Sequence, residues 1–162
     1  MDQNPQAPSE GYQLGIQKIK TLSFGIDESA IKPDAPVILK AYLEPNLAFS
    51  TEAKLVEFKL RVEYRYEDKT PVLAHITVQN IFVIPDLEKY LAKPSLLILP
   101  ELVIISIVGS SISHTRALFS QYLLGTALQD SIVTLLDPAD VARHYFPYMF
   151  GSSVSTSPQA SN

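Results

Sequence analysis

The chain has 162 residues, a net charge of −4, a pI near 5.3 and no cysteine. That length suits one domain able to bury about 70% of its unfolded surface. The acidic balance argues against nucleic-acid binding, and the lack of thiols excludes disulfides and thiolate metal sites. A hydrophobic content of 46% is rich for this size. It points either to a large Val/Ile/Leu core or to apolar surface that belongs to a partner.

Residues 1–11 and 151–162 are polar and aperiodic, and read as disordered tails around a single domain spanning 12–150. The first residues carry no apolar secretory segment, so a cytoplasmic protein is expected. Tyr12, Leu14 and Ile16 alternate, and Leu22 and Phe24 resume the pattern after a slip near Lys18–Ile19. This is a first strand carrying a bulge. A connection over 25–36, with one Gly and two Pro, leads to a second strand from Val37 to Phe49. Pro45 within it implies an edge position or a break. After a turn at Ser50–Lys54 comes the strictest pattern in the chain, Val56 to Glu67. Its even positions (Val56, Phe58, Leu60, Val62, Tyr64, Tyr66) are apolar and its odd positions are all charged. Strand side chains alternate faces, so one face is wet and the other covered. A loop at Glu67–Pro71 leads to a fourth strand, Val72 to Ile84, with Ala74, Ile76, Val78, Phe82 and Ile84 on one face. Short and medium loops imply an antiparallel meander or something near it.

Beyond Pro85 the pattern turns helical. Asp86 is placed to cap a short helix, Leu87 to Ala92, stopped by Pro94. Pro100 suits a first helical position and Glu101 the first turn, opening a helix that runs to Leu124 and ends at Gly125. A last helix starts at Asp137 (cap) and Pro138 and ends near Phe146, before Pro147.

The long helix is unusual. Stepping about 100° per residue, one face holds Leu102, Ile105, Gly109, Ile112, Phe119 and Leu123, with Arg116 its lone charge. A small-residue line, Ser106, Ser113, Ala117 and Ser120, lies a quarter turn away. A helix with no solvated stripe is either a membrane span or buried on more than one side. The polar run Ser110–Arg116 interrupts it too early for a span. The chain's own sheet covers one side, so the other needs a second subunit or the loop 85–99. The expected oligomer contact is Ser106, Gly109, Ser110, Ser113, Ala117 and Ser120.

Chemistry is sparse. His75, His114 and His144 show no zinc spacing, and Asp137, Asp140 and His144 are better explained by capping and solvation than by a metal. Ser113-His114 lacks a nucleophile elbow. Arg116 must find an acceptor or water, and a structural ion pair or carbonyl clamp is expected. No phosphate-binding glycine loop exists. No enzyme activity, cofactor or metal is expected.

Four antiparallel strands, a loop, a long helix and a short terminal helix resemble the SecB family of export chaperones. The resemblance runs over about residues 14–147. It is carried by Ser111 to Phe119 (Ser-Ile-Ser-His-Thr-Arg-Ala-Leu-Phe), by Gly125-Thr126 at the helix end, and by Leu135 to Phe146 with its closing aromatic pair. The strand pair Lys54–Glu67 and Val72–Ile84 matches the family's third and fourth strands. The resemblance implies an α+β fold, with a four-stranded antiparallel sheet covered on one face by the two helices. It further implies a homotetramer built as a dimer of dimers, and a holdase that binds unfolded or precursor polypeptides and passes them to the motor SecA. The family's acidic sheet face and acidic tail, which dock SecA, have no counterpart here. A relative dedicated to one partner, such as an antitoxin, shares the fold and is the alternative. Within that resemblance the expected client contacts are Phe24, Ile31, Tyr42, Leu43 and Leu47, with Leu87, Tyr90 and Leu97 beside the helix; each also suits an ordinary packing position. The remaining alternative is a small-ligand protein or enzyme using Arg116 and His114.

Overall fold

A computed structural model describes residues 12–32, 38–68, 70–133 and 135–151. Apart from Gly151, the tails expected to be disordered lie outside the described residues, as does part of the 25–36 connection. The order of elements is β1 (Gly15–Ile26), β2 (Ile38–Ser50), β3 (Leu55–Arg65), β4 (Ala74–Val83), β5 (Leu91–Lys93), β6 (Leu96–Leu97), α1 (Glu101–Leu123), β7 (Ile132–Val133) and α2 (Pro138–Tyr145). The fold is α+β: four antiparallel strands, one long helix and one short helix.

The sheet order is β1-β4-β3-β2-β7, where β7 adds two residues in parallel to the start of β2. Strands β2, β3 and β4 form the expected meander, but β1 pairs with β4 instead of β2. The expected bulge of β1 lies between Ile16 and Lys18, and a second lies between Thr21 and Ser23. These two slips explain why the apolar residues of β1 fall out of strict alternation. Pro45 does not break β2, whose ladder with β3 runs unbroken from Lys40 to Ser50. Beyond Leu39, β2 has a neighbour on one side only, so an imino nitrogen at Pro45 costs no ladder bond.

Burial follows parity along β3 and β4. Val56, Phe58, Leu60, Val62 and Tyr64 are buried on one side, with Ala74, Ile76, Val78, Asn80 and Phe82 beside them. The last helix is built as expected: Asp137 accepts from Ala139 N at 2.8 Å, and Pro138 opens the first turn. The helix α1 lies over β3 and β4, with Val103, Ile104, Ile107, Val108 and Phe119 turned toward the sheet. Phe119 stacks on Tyr64 at 4.2 Å. Beside it α2 ends near Phe58 of β3, which Phe146 meets at 5.9 Å, and reaches β2 where Tyr145 Oη donates to Leu43 O at 2.7 Å. The helix layer thus lies over β3 and β4, meets β2 through α2, and meets β1 at Phe24.

Four expectations are corrected. Residues Leu87–Tyr90 form a single 3-10 turn in place of an α-helix, and Asp86 makes no side-chain cap bond there. The chain then turns at Pro94–Ser95 into the hairpin β5–β6. Pro100 is the residue before the first turn of α1, with its carbonyl accepting from Val103 and Ile104. Leu102 faces solvent at 66% exposure instead of joining the buried face.

Candidate functional site

No side-chain group of three or more metal-ligating residues exists among the described residues. What the fold offers is apolar surface, in three places.

The first is the side of α1 turned from the sheet. Ser106, Ser113, Ala117 and Ser120 are exposed there, and Gly109 and Ser110 are half-buried. Ser106 Oγ donates to Leu102 O at 2.7 Å and Ser113 Oγ to Gly109 O at 2.9 Å. These hydroxyls are spent on the helix's own carbonyls, so the stripe presents mostly carbon. Leu102 and Leu124 stand at its two ends, 66% and 71% exposed. Gly109 faces α2, where an added Cβ would meet Pro138 at 3.4 Å, so this position already serves packing within the chain. The interface residues expected from sequence therefore share one outward region, with Gly109 committed partly to α2.

The second is the flank of α1 beside β1. Pairing with Phe82 and Asn80 turns Ile16 and Ile19 to the helix side of the sheet, yet they are 48% and 41% exposed, away from the Phe24 end where α1 meets β1. Phe24 closes one end of this trough, stacked on Tyr122 at 4.7 Å and edge-on to Phe119. Its floor holds a polar group that the apolar pattern of β4 conceals. Asn80 is fully buried, its Oδ1 lies 2.8 Å from His114 Nδ1, and its Nδ2 has no partner among the described residues. Ser111 Oγ, also buried, has none either. Strand parity alone places Asn80 on the core face, and that was the signal available.

The third is a groove of about 340 Å³ between the edge of β2 and α2, lined by Tyr42, Leu43, Leu136, Val141 and Tyr145. A slot of about 20 Å³, room for one water-sized body, continues inward beside Leu60, Tyr64 and Arg116. Arg116 is exposed and makes no ion pair or carbonyl bond among the described residues, so the expected clamp is not formed there. Burial pushes the Tyr64 phenol above its ordinary value, and the nearby Arg116 charge opposes that. The Tyr145 hydroxyl occupies the Leu43 carbonyl, so the groove offers side-chain contact at that point and no free strand edge.

The expected client residues are dispersed. Leu43 and Tyr42 share the third groove, Phe24 belongs to the second trough, and Leu47 and Ile31 are half-buried against the core. Tyr90 lines a wide polar groove with Tyr12, Pro85 and Pro100. Leu87 and Leu97 are 0% and 2% exposed, core residues held under the 3-10 turn and the β5–β6 hairpin, with no surface for a client.

On the opposite side of the sheet, Glu63 pairs with Arg65 at 2.7 Å and Arg61 at 2.9 Å, and Glu57 with Lys59 at 2.7 Å. The Arg65 hydrogen bond holds the Glu63 carboxyl below its ordinary range against a smaller effect of burial, and Lys59 does the same for Glu57. Tyr42 and Lys40 both donate to Asp68, whose carboxyl is lowered in turn.

No protein-family model matches the chain, and no curated protein matches it with significance.

Proposed function

We propose that this chain is a SecB-like holdase, a chaperone that binds unfolded or precursor polypeptides in the cytoplasm without chemistry or cofactor. One observation carries the reading. A 23-residue helix packed on its sheet by one side turns outward a side bearing a single cation, two serine hydroxyls (Ser106 and Ser113) spent on its own backbone, and two exposed leucines. Surface of that kind is unfavourable in water unless another chain covers it. In this reading a second copy covers α1, giving a dimer or the dimer of dimers the resemblance implies. Clients then lie along the groove between β2 and α2, where Leu43, Leu136 and Val141 give sequence-tolerant apolar contact.

The test is suppression of aggregation. The purified protein is mixed at near-stoichiometric amounts with several unrelated proteins as they unfold. Suppression across clients supports a general holdase, and no suppression of any of them removes it.

A second reading has its own support. The charges along β3 are mixed in sign, with Glu57 engaged by Lys59 and Glu63 shared by Arg61 and Arg65, so that strand carries no acidic surface for the export motor. A dedicated chaperone or interaction module for one partner fits this equally, without SecA delivery. Recovery of one dominant partner from the native cytoplasm, in place of a spread of nascent chains, separates the two.

A further inference from the structure

We propose that the outer face of the sheet docks an acidic segment of a partner protein, with one apolar side chain of that segment seated at the end of the sheet. Register carries the argument. Lys18 and Lys20 of β1 pair with Ile81 and Gln79, which turns both lysines to the face opposite the helices. Lys20, Gln79, Lys59 and Asn46 then form one row across all four strands. With Lys40, Arg61 and Arg65 the strands present six cations on this face, against three carboxylates, Glu44, Glu57 and Glu63. The chain as a whole is acidic, at −4, so the positive charge is gathered here.

Glu57 and Glu63 are already engaged by Lys59, Arg61 and Arg65, and Lys40 by Asp68 in the following loop. Lys18 and Lys20 have no carboxylate within ion-pair distance among the described residues. Two residues apart on one strand, they stand roughly 6.6 Å from each other, a spacing that alternate carboxylates of an extended segment can match. At the end of the same face, Ala48, Ser50, Leu55 and Ile81 line a dimple of about 200 Å³, enough for one Leu or Phe side chain, with Glu57, engaged by Lys59, at its wall.

The chemistry favours a polypeptide over a nucleic acid. Three carboxylates interleaved with the cations would repel a backbone charged at every phosphate, whereas an acidic segment can set its sparser carboxylates opposite Lys18 and Lys20 and leave uncharged residues over Glu44, Glu57 and Glu63. Of the outward-facing rings among the described residues, Tyr42 is tied to Asp68 by its hydroxyl and lies against the Arg65 guanidinium at 5.4 Å, and His75 lies across Gly25, so neither offers a platform for base stacking. Asn46, Thr77 and Gln79 can meet both donors and acceptors of a peptide.

The test titrates the full chain with a short Glu/Ser peptide bearing one central Leu, with its Lys/Ser counterpart, and with a short single-stranded RNA. The acidic peptide is expected to bind and the basic one not. Binding is expected to weaken at least about tenfold in Lys18→Glu/Lys20→Glu and on raising salt from about 0.05 to about 0.3 M. The neutral pair Lys18→Gln/Lys20→Gln should lose affinity by a smaller factor, and it decides the matter if the charge-reversed pair does not fold. Equal binding of the two peptides, undiminished binding in a folded variant, or RNA binding tighter than the acidic peptide would each overturn the proposal. Aggregation suppression, which depends on the other face, should be the same in wild type and variants.

Discussion

Asn80 Oδ1 lies 2.8 Å from His114 Nδ1, joining the core face of β4 to the flank of α1. The asparagine is fully buried and its Nδ2 has no partner among the described residues, so the site stabilises only while the one bond is kept. Asn80→Ala leaves the imidazole Nδ1 unpaired and should cost about 1–3 kcal/mol. Replacing both groups, Asn80→Leu with His114→Leu, should be close to neutral, because no polar atom is then stranded. Urea midpoints of the two variants decide it, and an Asn80→Ala protein as stable as wild type would contradict the coupling.

The imidazole of His75 lies across Gly25 on the outer face, where an added Cβ would come within 2.5 Å of Cε1. Gly25→Ala forces the ring aside and should cost about 1 kcal/mol or more. In a His75→Ala background the same change should cost little. A double-mutant cycle with no interaction energy would show that the ring moves freely.

Lys54 closes the turn between β2 and β3 with φ of 56°, the left-handed region, while its carbonyl accepts from Ile84 N at 3.0 Å. Relief of side-chain strain should make Lys54→Gly more stable by about 0.5–1 kcal/mol, partly offset by the greater freedom of an unfolded glycine. Thermal unfolding of the single variant checks the sign.

Glu63, Glu57 and Asp68 are all held below their ordinary carboxyl values, Glu63 by Arg65 first, Glu57 by Lys59 first and Asp68 by Tyr42 first. A depressed folded-state value means the stabilisation is complete above the unfolded value, near 4.5 for glutamate, and is lost as pH falls through the folded value. Stability should therefore hold from neutrality to about pH 5 and fall below it. Glu63→Gln should flatten that acid limb, measured as the denaturant midpoint against pH; an unchanged slope would remove Glu63 from the cause.

The strands β3 and β4 were legible because period-two alternation is local and their two environments differ sharply. Val56 to Tyr64 are buried at every even position as read. The α2 cap was legible for the same reason, since Asp137 and Pro138 act within one turn. Pairing of β1 with β4 was not, because it depends on where a long connection returns the strand. The β5–β6 hairpin was hidden because two strands of three and two residues are too short to show alternation, and Leu87 to Ala92 before Pro94 reads like a stopped helix. Asn80 is masked in the sequence by the apolar residues that share its face. Of the candidate surfaces, the small stripe of α1 could be read from composition. Lys18 and Lys20 joining the charged face could not, since two bulges reset which side of the sheet they occupy.

The mass of the chain in solution tests most directly the claim that α1 is covered on both sides. Light scattering over a wide concentration range should give a dimer or tetramer of the 17.9 kDa chain. Ala117→Glu, a charge placed on the exposed stripe, should drive that assembly toward single chains without unfolding them. A wild-type protein that stays a 17.9 kDa monomer at every concentration would contradict the claim.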